Sequence, residues 1–250
     1  ALRGLIRKQA ELILTDAYAN AFNKKGDFSC YSRDKTKMGA FIWERKYEVD
    51  SLAFPILLLA EYIAATGRQD IFTERVLAAL KRILEVWETE QHHESSSYTF
   101  ERDSELETET LQNKGRGTPV SYTGMTWSGF RPSDDACRYH YLLPANMLAV
   151  SALRRLCKLS VGKETACRAE KLAEEIAEGI YRYGIVRHPA YGEIFAYETD
   201  GMGHYNLMDD ANVPSLLAAP WFGFCEKEDG IYRNTRRFVL SESNPYYYKG

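Results

Sequence analysis

The chain has 250 residues, which is the length of one large domain or of two small ones. Its hydrophobic content of 45% and charged content of 27% are typical of a globular, water-soluble protein. The net charge of −3 argues against a nucleic-acid or anionic-membrane partner, since both require a basic surface. No apolar run approaches the roughly 18 residues that a membrane-spanning helix needs.

Five cysteines occur without a CxxC pair, and five histidines occur without an HExxH motif. Glycines form neither a GxGxxG nor a Walker pattern. We therefore expect reduced thiols, no metal site and no cofactor. The sequence opens directly into a helical pattern without a signal-peptide core, and the true N-terminus is not visible because there is no initiator Met. From the expected reduced thiols we predict a cytoplasmic location.

In the first half of the chain, apolar spacing predicts a helix over residues 2–21. A second helix is expected from about residue 50 to Thr66, with Gly67 ending it. A third helix is predicted to start at Asp70. A short strand is expected at 98–100, within a polar and acidic segment.

In the second half, helices are predicted over residues 145–159 and 164–183. A β-hairpin is expected within residues 185–197, because two apolar runs flank a Tyr-Gly turn. Residues 208–219 are predicted to form a short helix, and residues 228–250 are expected to be irregular. Short and long connections between helices alternate. This pattern is expected for a ring of helical hairpins in which short turns lie at one end and the functional site lies among the long loops at the other.

The segment 121–147 combines helix-breaking residues with an unusual aromatic content. Trp127 and Phe130 lie beside Arg131 and the adjacent acids Asp134 and Asp135. Aromatic faces can stack on sugar rings, an arginine can bind hydroxyls, and a carboxyl group can act as an acid. The segment therefore predicts a sugar site. The alternative is an ordinary helix cap at residue 133 or 134, since such caps are common.

Acidic residues precede a predicted helix with a nearby proline in three separate places. The acids are Glu48 and Asp50, Asp134 and Asp135, and Asp209 and Asp210. We expect these three helix entrances to line one rim, where helix N-termini hold carboxylates. The alternative is that they are three independent N-caps. His204 and Tyr205 follow glycines in a predicted loop and are further candidates for this rim.

Two carboxyl groups suffice for glycoside hydrolysis, in which one protonates the leaving oxygen and the other attacks the sugar or activates water. The sequence does not give the distance between them, which distinguishes retention from inversion.

Four motifs resemble the same known family in the same order along nearly the whole chain. The run from Thr123 to Ala136, TGMTWSGFRPSDDA, is similar to the signature of glycoside hydrolase family 125, the metal-independent exo-α-1,6-mannosidases. ERKYEVDSL at 44–52, NLMDDANVPSL at 206–216 and NPYYY at 244–248 resemble further motifs of that family. The resemblance implies an all-α fold, an (α/α)6 toroid of helical hairpins, with a small β-hairpin insertion.

The resemblance also implies metal-independent hydrolysis with inversion. The general acid would be Asp134 or Asp135, and the substrate-binding residues would come from the candidates named above. The substrate would be an α-mannoside or an oligosaccharide derived from an N-glycan. The family's N-terminal Trp-Leu-Arg-Asp element is absent here, as is the C-terminal region that carries the general base. About six helices are predicted, against twelve in a full toroid.

The sequence therefore predicts a single catalytic-type helical domain over residues 1–250 that lacks both ends of the family's domain, with the general base beyond residue 250. By itself this part of the domain is expected to be inactive. The alternative function is a non-catalytic helical-hairpin module that binds glycan or protein.

Overall fold

The computed structural model describes residues 1–249. In this part of the chain six helices have ten residues or more, and a short segment labelled α4 is a single turn in which Asn113 and Lys114 have left-handed backbone angles. The helices are α1 (Leu2–Thr15), α2 (Val49–Thr66), α3 (Glu74–Glu90), α4 (Gln112–Gly115), α5 (Leu143–Leu156), α6 (Lys163–Tyr183) and α7 (Gly230–Val239). The protein is thus mostly helical, as predicted.

Three small antiparallel sheets join the helical elements. Strands β1 (Ala21–Phe22) and β2 (Ile42–Glu44) form one pair. Strands β4 (Ile185–His188) and β5 (Gly192–Phe195) form the predicted hairpin. Strand β6 (Glu198–Thr199) lies between β3 (Tyr141–Leu142) and β7 (Tyr205–Asn206) in the third sheet. Register in that sheet places Glu198 opposite both Leu142 and Asn206.

Helix α5 is the centre of the core. Every residue from Leu143 to Leu153 is buried, so this helix is surrounded by protein on all sides. It packs against α2 and α6, while α1 packs against α2 and α3. A helix that is apolar all round is expected in such a position.

The sequence was expected to contain no apolar run of about 18 residues, but helix α2 is 18 residues long and largely apolar. Among the described residues it is the one helix that could cross a membrane by length and composition. In the structure it packs against α1 and α5 and carries the buried carboxyl group of Asp50. Contacts of this kind are those of a core helix in a folded domain.

The predicted helices of the first half are largely present, with changes at their ends. Helix α1 ends at Thr15, six residues before the predicted end. Helix α2 ends at Gly67 as predicted, in the left-handed conformation that glycine adopts readily. Helix α3 begins after Thr73, whose hydroxyl accepts a hydrogen bond from the Val76 amide; Asp70 lies in a separate 3₁₀ turn. The predicted strand at 98–100 is not formed.

The later part of the chain shows larger differences. Residues 208–219 form no α-helix; they contain a cis peptide before Pro214 and one 3₁₀ turn at Leu216–Ala218. Residues 230–239, which were expected to be irregular, form α7. The Asp229 side chain caps the N-terminus of this helix by accepting a hydrogen bond from the Tyr232 amide. The apolar face of this short helix is difficult to recognise in the sequence because three arginines and an asparagine are interspersed with its apolar residues.

The three acidic segments are not equivalent helix entrances. Only Glu48 directly precedes a helix, α2, and its side chain does not cap that helix. Asp134 and Asp135 lie several residues before α5 begins, and Asp209 and Asp210 precede no α-helix until α7. The prediction of three similar helix starts was therefore wrong, and so was the alternative of three independent N-caps.

Candidate active site

The segment 123–135, here called the tryptophan turn, is held by hydrogen bonds from three parts of the fold. The Trp127 amide donates to the Glu90 carbonyl at the end of α3, at 3.0 Å. The amides of Gly129 and Phe130 both donate to the Tyr47 carbonyl, just before α2, at 3.0 Å. From α5, the Asn146 side chain makes two hydrogen bonds to the backbone of Thr126: it accepts one from the amide and donates one to the carbonyl. These bonds position the charged residues that follow.

Trp127 and Phe130 do not face a ligand. Both side chains are 0% exposed. Trp127 stacks between His93 and His140, and Phe130 packs edge-on against Phe100. A ring with no exposed face cannot stack on a sugar, so the structure contradicts the prediction that these two residues form a sugar platform.

Arg131 is the point at which separate segments bring their carboxylates together. Its Nη2 lies 3.4 Å from Asp135 Oδ2. Its Nη1 lies 3.8 Å from Asp210 Oδ2, and its Nε lies 3.7 Å from Glu198 Oε1. Arg131 is buried, and its Nε, Glu198 Oε1 and Asp210 Oδ2 have no hydrogen-bond partner within the described residues. We call these four residues, together with Tyr197, whose hydroxyl donates to Asp210 Oδ1, the Arg131 cluster.

Asp134 lies at the edge of this cluster in a strained backbone conformation. Its φ of 72° is in the left-handed region, which is uncommon for a non-glycine residue. The ammonium group of Lys46, which is almost fully buried, donates to the Asp134 carbonyl at 2.8 Å and lies 3.8 Å from its Oδ1. Partial burial raises the pKa of Asp134, and the positive charge of Lys46 opposes that rise. The side chain itself is 57% exposed and so can reach a ligand.

Lys46 is in turn fixed by a chain of buried charges. Its Nζ lies 3.3 Å from Glu109 Oε2. The same oxygen accepts from Arg102, which also pairs with Asp34 and Glu44. A buried cation with this many acceptors is held in one geometry.

Glu48 and Asp50 form a second acidic group close by. Burial raises the pKa of Glu48 to about 8, with further contributions from the Asp50 and Asp134 carboxylates. Burial likewise raises the pKa of Asp50 to about 7. Asp50 Oδ1 has no partner within residues 1–249. Burial and then the Glu198 carboxylate raise the pKa of the buried Cys137 thiol; the charge of Arg131 opposes that rise, and Asp50 and Glu48 add to it.

Asp209 has a structural role, unlike its neighbour Asp210. Both of its carboxylate oxygens accept backbone amides, from Ala211 and from Leu216, at 2.7 Å. Its own amide and carbonyl bond to the buried side chain of Asn244. With these acceptors occupied and a side chain 1% exposed, Asp209 does not present a group to a sugar, which contradicts the prediction for this residue.

A cavity of about 640 Å³ adjoins the Arg131 cluster. Its lining includes Asn206, Met208 and Tyr246. Of the predicted site residues only Arg131 lines it. The expected common pocket is therefore found in part: two of the three acidic segments meet at Arg131, but their carboxyl groups do not themselves form the cavity wall.

His204 and Tyr205 lie at the end of the third sheet and not in this cavity. The His204 ring is held by Asp200, with Nδ1 2.6 Å from Oδ2, and most of it is exposed. Tyr205 is half-buried in β7. The following residue, Asn206, is the one that reaches the cavity.

Lys46, Glu198 and Tyr246 were not among the predicted residues. Glu198 continues the apolar run 194–197, and a charged residue in such a run is a signal for a buried functional carboxylate. Lys46 is likewise flanked by buried residues. Tyr246 belongs to the NPYYY motif but carries no signal of its own in the sequence.

The described residues contain no group of three or more histidine, cysteine, aspartate or glutamate side chains arranged to hold a metal ion. The chemistry that the site offers is that of carboxyl groups held near a buried guanidinium and a buried ammonium. Such groups bind hydroxyls and transfer protons.

Comparison with known proteins gives three findings. The model of the metal-independent alpha-mannosidase family, GH125, matches residues 1–250. The meiotically up-regulated gene 157 protein of Schizosaccharomyces pombe is 40% identical over 269 residues, covering 99% of this chain and 53% of that protein. A solved metal-independent alpha mannosidase of Streptococcus pneumoniae, in a non-productive complex with alpha-1,6-mannobiose, superposes with a TM-score of 0.96 and 44% identity. This chain is covered completely and that chain by 60%, so the sequence spans little more than half the length of the relatives it matches.

Proposed function

Because the chain belongs to the metal-independent alpha-mannosidase family, GH125, we propose that it forms the acid-bearing part of an exo-acting α-1,6-mannosidase that inverts configuration. The substrate is a terminal α-mannoside, such as one end of an oligosaccharide derived from an N-glycan. The S. pneumoniae relative, which binds alpha-1,6-mannobiose, supports the linkage.

The observation that carries this proposal is the meeting of carboxylates at Arg131. Asp135, from the same turn as Arg131, and Glu198 and Asp210, from a later part of the chain, lie within 3.4–3.8 Å of one buried guanidinium. Three buried polar atoms in this cluster lack a partner among residues 1–249. Buried polar atoms are nearly always hydrogen-bonded, so this arrangement suits the hydroxyl groups of a bound sugar.

We assign the role of general acid to Asp134. A general acid must be protonated when the glycosidic bond breaks, and partial burial raises the pKa of Asp134 in that direction. Its exposed side chain and strained backbone also suit a reacting group. Asp135 forms an ion pair with Arg131 and orients the guanidinium group.

The base is assigned to a segment of the longer relatives that this chain does not match. In an inverting enzyme the base lies about 6.5–9.5 Å from the acid, which leaves room for the attacking water. The toroid is part of the same proposal. It is supported by the position of α5, which is buried all round as an inner helix of such a ring would be. A cytoplasmic location also remains a proposal; all five cysteines are free thiols.

The experiment uses the full-length protein that contains this chain, with α-1,6-mannobiose as the substrate. Proton NMR follows the anomers of mannose as they first appear, in the presence and absence of a chelator. We expect mannose release that the chelator leaves unchanged, with the β-anomer formed first. No release of mannose would contradict the activity and would favour a binding module instead; the α-anomer first would contradict inversion alone.

A further inference from the structure

The ammonium group of Lys46 is buried next to the tryptophan turn. Its side chain is 1% exposed, and Nζ lies 5.1 Å from the centre of the Phe130 ring. Nζ donates to the Asp134 carbonyl at 2.8 Å, but the carboxyl oxygen of Asp134 is 3.8 Å away, beyond hydrogen-bond distance. The carboxylate in closer contact is Glu109, whose Oε2 lies at 3.3 Å. A buried ammonium needs an anion beside it, and a different segment of the chain supplies this anion.

The choice of counter-ion matters because Asp134 is the proposed general acid. An ammonium in direct contact with a carboxyl group favours the ionised form, whereas a general acid must be protonated. With Glu109 as the closer partner of Lys46, the Asp134 carboxyl group stays near the cation without a hydrogen bond to it. Burial is the main cause of the raised pKa of Asp134, and the carboxylates of Glu44 and Glu109 add to it.

Glu109 is itself held by a buried guanidinium. Arg102 Nη1 donates to the same oxygen, Oε2, at 2.7 Å. The rest of this guanidinium donates to both oxygens of Asp34 at 2.8 Å and to Glu44 Oε1 at 2.7 Å, so Arg102 has partners that do not depend on Glu109. Partial burial acts to raise the pKa of Glu109, but the hydrogen bonds and charges of Arg102 and Lys46 lower it, so this carboxyl group is ionised.

The backbone on each side of Glu109 is fixed as well. The Thr108 carbonyl accepts the amide of Ala136, directly after the tryptophan turn, at 2.7 Å. The Thr110 hydroxyl accepts the Arg102 amide at 3.0 Å. The Glu109 carboxylate is therefore positioned between the guanidinium and the ammonium before any substrate binds.

We propose that Glu109 is a positioning residue for the general acid, because it holds the Lys46 ammonium away from the Asp134 carboxyl group. This inference rests on the proposed function, in which Asp134 donates the proton. Without the Glu109 carboxylate, Lys46 loses its closest anion. The Asp134 carboxylate is the second one that Lys46 contacts, so it becomes the new partner. Asp134 is then held ionised, which is the wrong state for an acid.

The charged groups around Asp134 come from β2 and the residues after it, from the start of α2, and from the segment before α4. They are two cations and three carboxylates: Lys46, Arg102, Glu44, Glu48 and Glu109. The two cations lower the pKa of Asp134, and the Glu44 and Glu109 carboxylates raise it. Removing the charge of Glu109 and freeing Lys46 therefore act in the same direction, towards a lower pKa of Asp134.

The first test follows the Asp134 carboxyl group by ¹³C NMR in the full-length protein as the pH is varied. In Glu109→Gln we expect its titration midpoint to move to lower pH, and the ¹⁵N signal of the Lys46 ammonium to move as well. Glu105→Gln is the matched control, since Glu105 is an exposed acid of the same segment. Both signals should stay in place there. The same Asp134 midpoint in Glu109→Gln and Glu105→Gln would overturn the proposal.

The second test asks whether Glu109 acts through Lys46. Glu109→Gln should lower the Asp134 midpoint in the unaltered protein and change it little when Lys46→Met is already present. Equal displacements in the two backgrounds would exclude the positioning role and would mean that Glu109 acts by its own charge. If Glu109→Gln does not fold, Glu109→Asp replaces it, since it keeps the charge on a shorter side chain. An unchanged Lys46 signal in Glu109→Asp would overturn the proposal.

The third test measures turnover of α-1,6-mannobiose by the full-length enzyme. Glu109→Gln should move the alkaline limb of the kcat/KM profile to lower pH and lower kcat at neutral pH about tenfold, with a smaller change in KM. A displaced Asp134 midpoint in a protein that releases no mannose would reject the proposed function and leave Glu109 as the counter-ion of Lys46. An alkaline limb that stays in place, or moves to higher pH, in an active Glu109→Gln variant would overturn the positioning role.

Discussion

Arg131 Nε and Glu198 Oε1 face each other at 3.7 Å, and neither atom has a hydrogen-bond partner within residues 1–249. The other oxygen of Glu198 is fixed by the amides of Arg138 and Tyr139 at 2.8 and 2.9 Å. The carboxylate is therefore held at a distance too long for a direct hydrogen bond to Arg131. Burial raises the pKa of Glu198, and the charge of Arg131 opposes that rise.

Replacing Glu198 by Gln should weaken both stability and activity. The substitution removes a fully buried anion from beside the buried guanidinium, and breaking such a buried pair costs on the order of 3 kcal/mol. We expect kcat/KM in the full-length enzyme to fall by a factor of ten to a hundred. Urea unfolding and steady-state kinetics measure the two effects. Glu193→Gln, on the exposed side of β5, is the control; equal behaviour of both variants would refute the role of Glu198.

Replacing Lys46 by Met should change the pH profile of activity. The Lys46 ammonium opposes the rise in the pKa of Asp134, so its loss raises that pKa further. A general acid is active while protonated, and the alkaline limb of the profile in kcat/KM should therefore move to higher pH. We also expect kcat to fall about tenfold as Asp134 loses its anchor. Lys171→Met, at an exposed ion pair with Glu175 on α6, should leave the profile unchanged. A shift to lower pH would contradict Asp134 as the acid.

The buried pair Glu48 and Asp50 should make stability depend on pH. Their pKa values in the folded state, about 8 and about 7, lie above those of the unfolded chain. The protonated forms therefore stabilise the fold fully below about pH 4, and this contribution is lost as pH rises through 7 to 8. Since each tenfold change in proton affinity is worth about 1.4 kcal/mol and both pKa values are raised, the loss is several kcal/mol.

Unfolding by urea between pH 4 and 9 measures this dependence. The double variant Glu48→Gln, Asp50→Asn should show a flatter profile than the unaltered chain and higher relative stability at pH 9. Glu174→Gln, an exposed position in the middle of α6, should retain the original slope. A double variant with the original slope would mean that other groups cause the pH dependence.

Asp209 and Asp210 should respond differently to substitution although they are adjacent. Asp209→Ala removes two acceptors of buried amides, so we expect a loss of about 2–4 kcal/mol in the free energy of unfolding. Asp210→Asn keeps the acceptor for Tyr197 and removes a charge beside Arg131, so its main effect should be on KM. A larger loss of stability in Asp210→Asn than in Asp209→Ala would reverse this assignment.

The elements that the sequence predicted well are those fixed by local chemistry. Gly67 ends α2 because glycine readily adopts the left-handed conformation found there. The β4–β5 hairpin follows from its turn, where Gly192 has φ +79°. These features depend on a few neighbouring residues and on no distant contact.

What the sequence could not predict depends on distant contacts. An aromatic side chain such as Trp127 is of the type that stacks on sugar rings. Only its packing against His93 and His140 in the structure shows that both of its faces are covered. Asp134 resembles an N-cap, yet the Lys46 ammonium holds it in a loop several residues before α5. Asp209 and Asp210 look alike in sequence, and the amides of the loop that follows distinguish them.

The most direct test of the account compares Asp134→Asn with Asp135→Asn on two substrates, in the full-length enzyme. One substrate is α-1,6-mannobiose, whose leaving group must be protonated; the other is an aryl α-mannoside with an acidic phenol, which departs without that help. We predict that Asp134→Asn lowers kcat/KM about 10²- to 10⁴-fold on the disaccharide and far less on the aryl mannoside, while Asp135→Asn affects both substrates alike. Equal losses on both substrates in Asp134→Asn, or full activity on the disaccharide, would contradict the assignment of Asp134 as the proton donor.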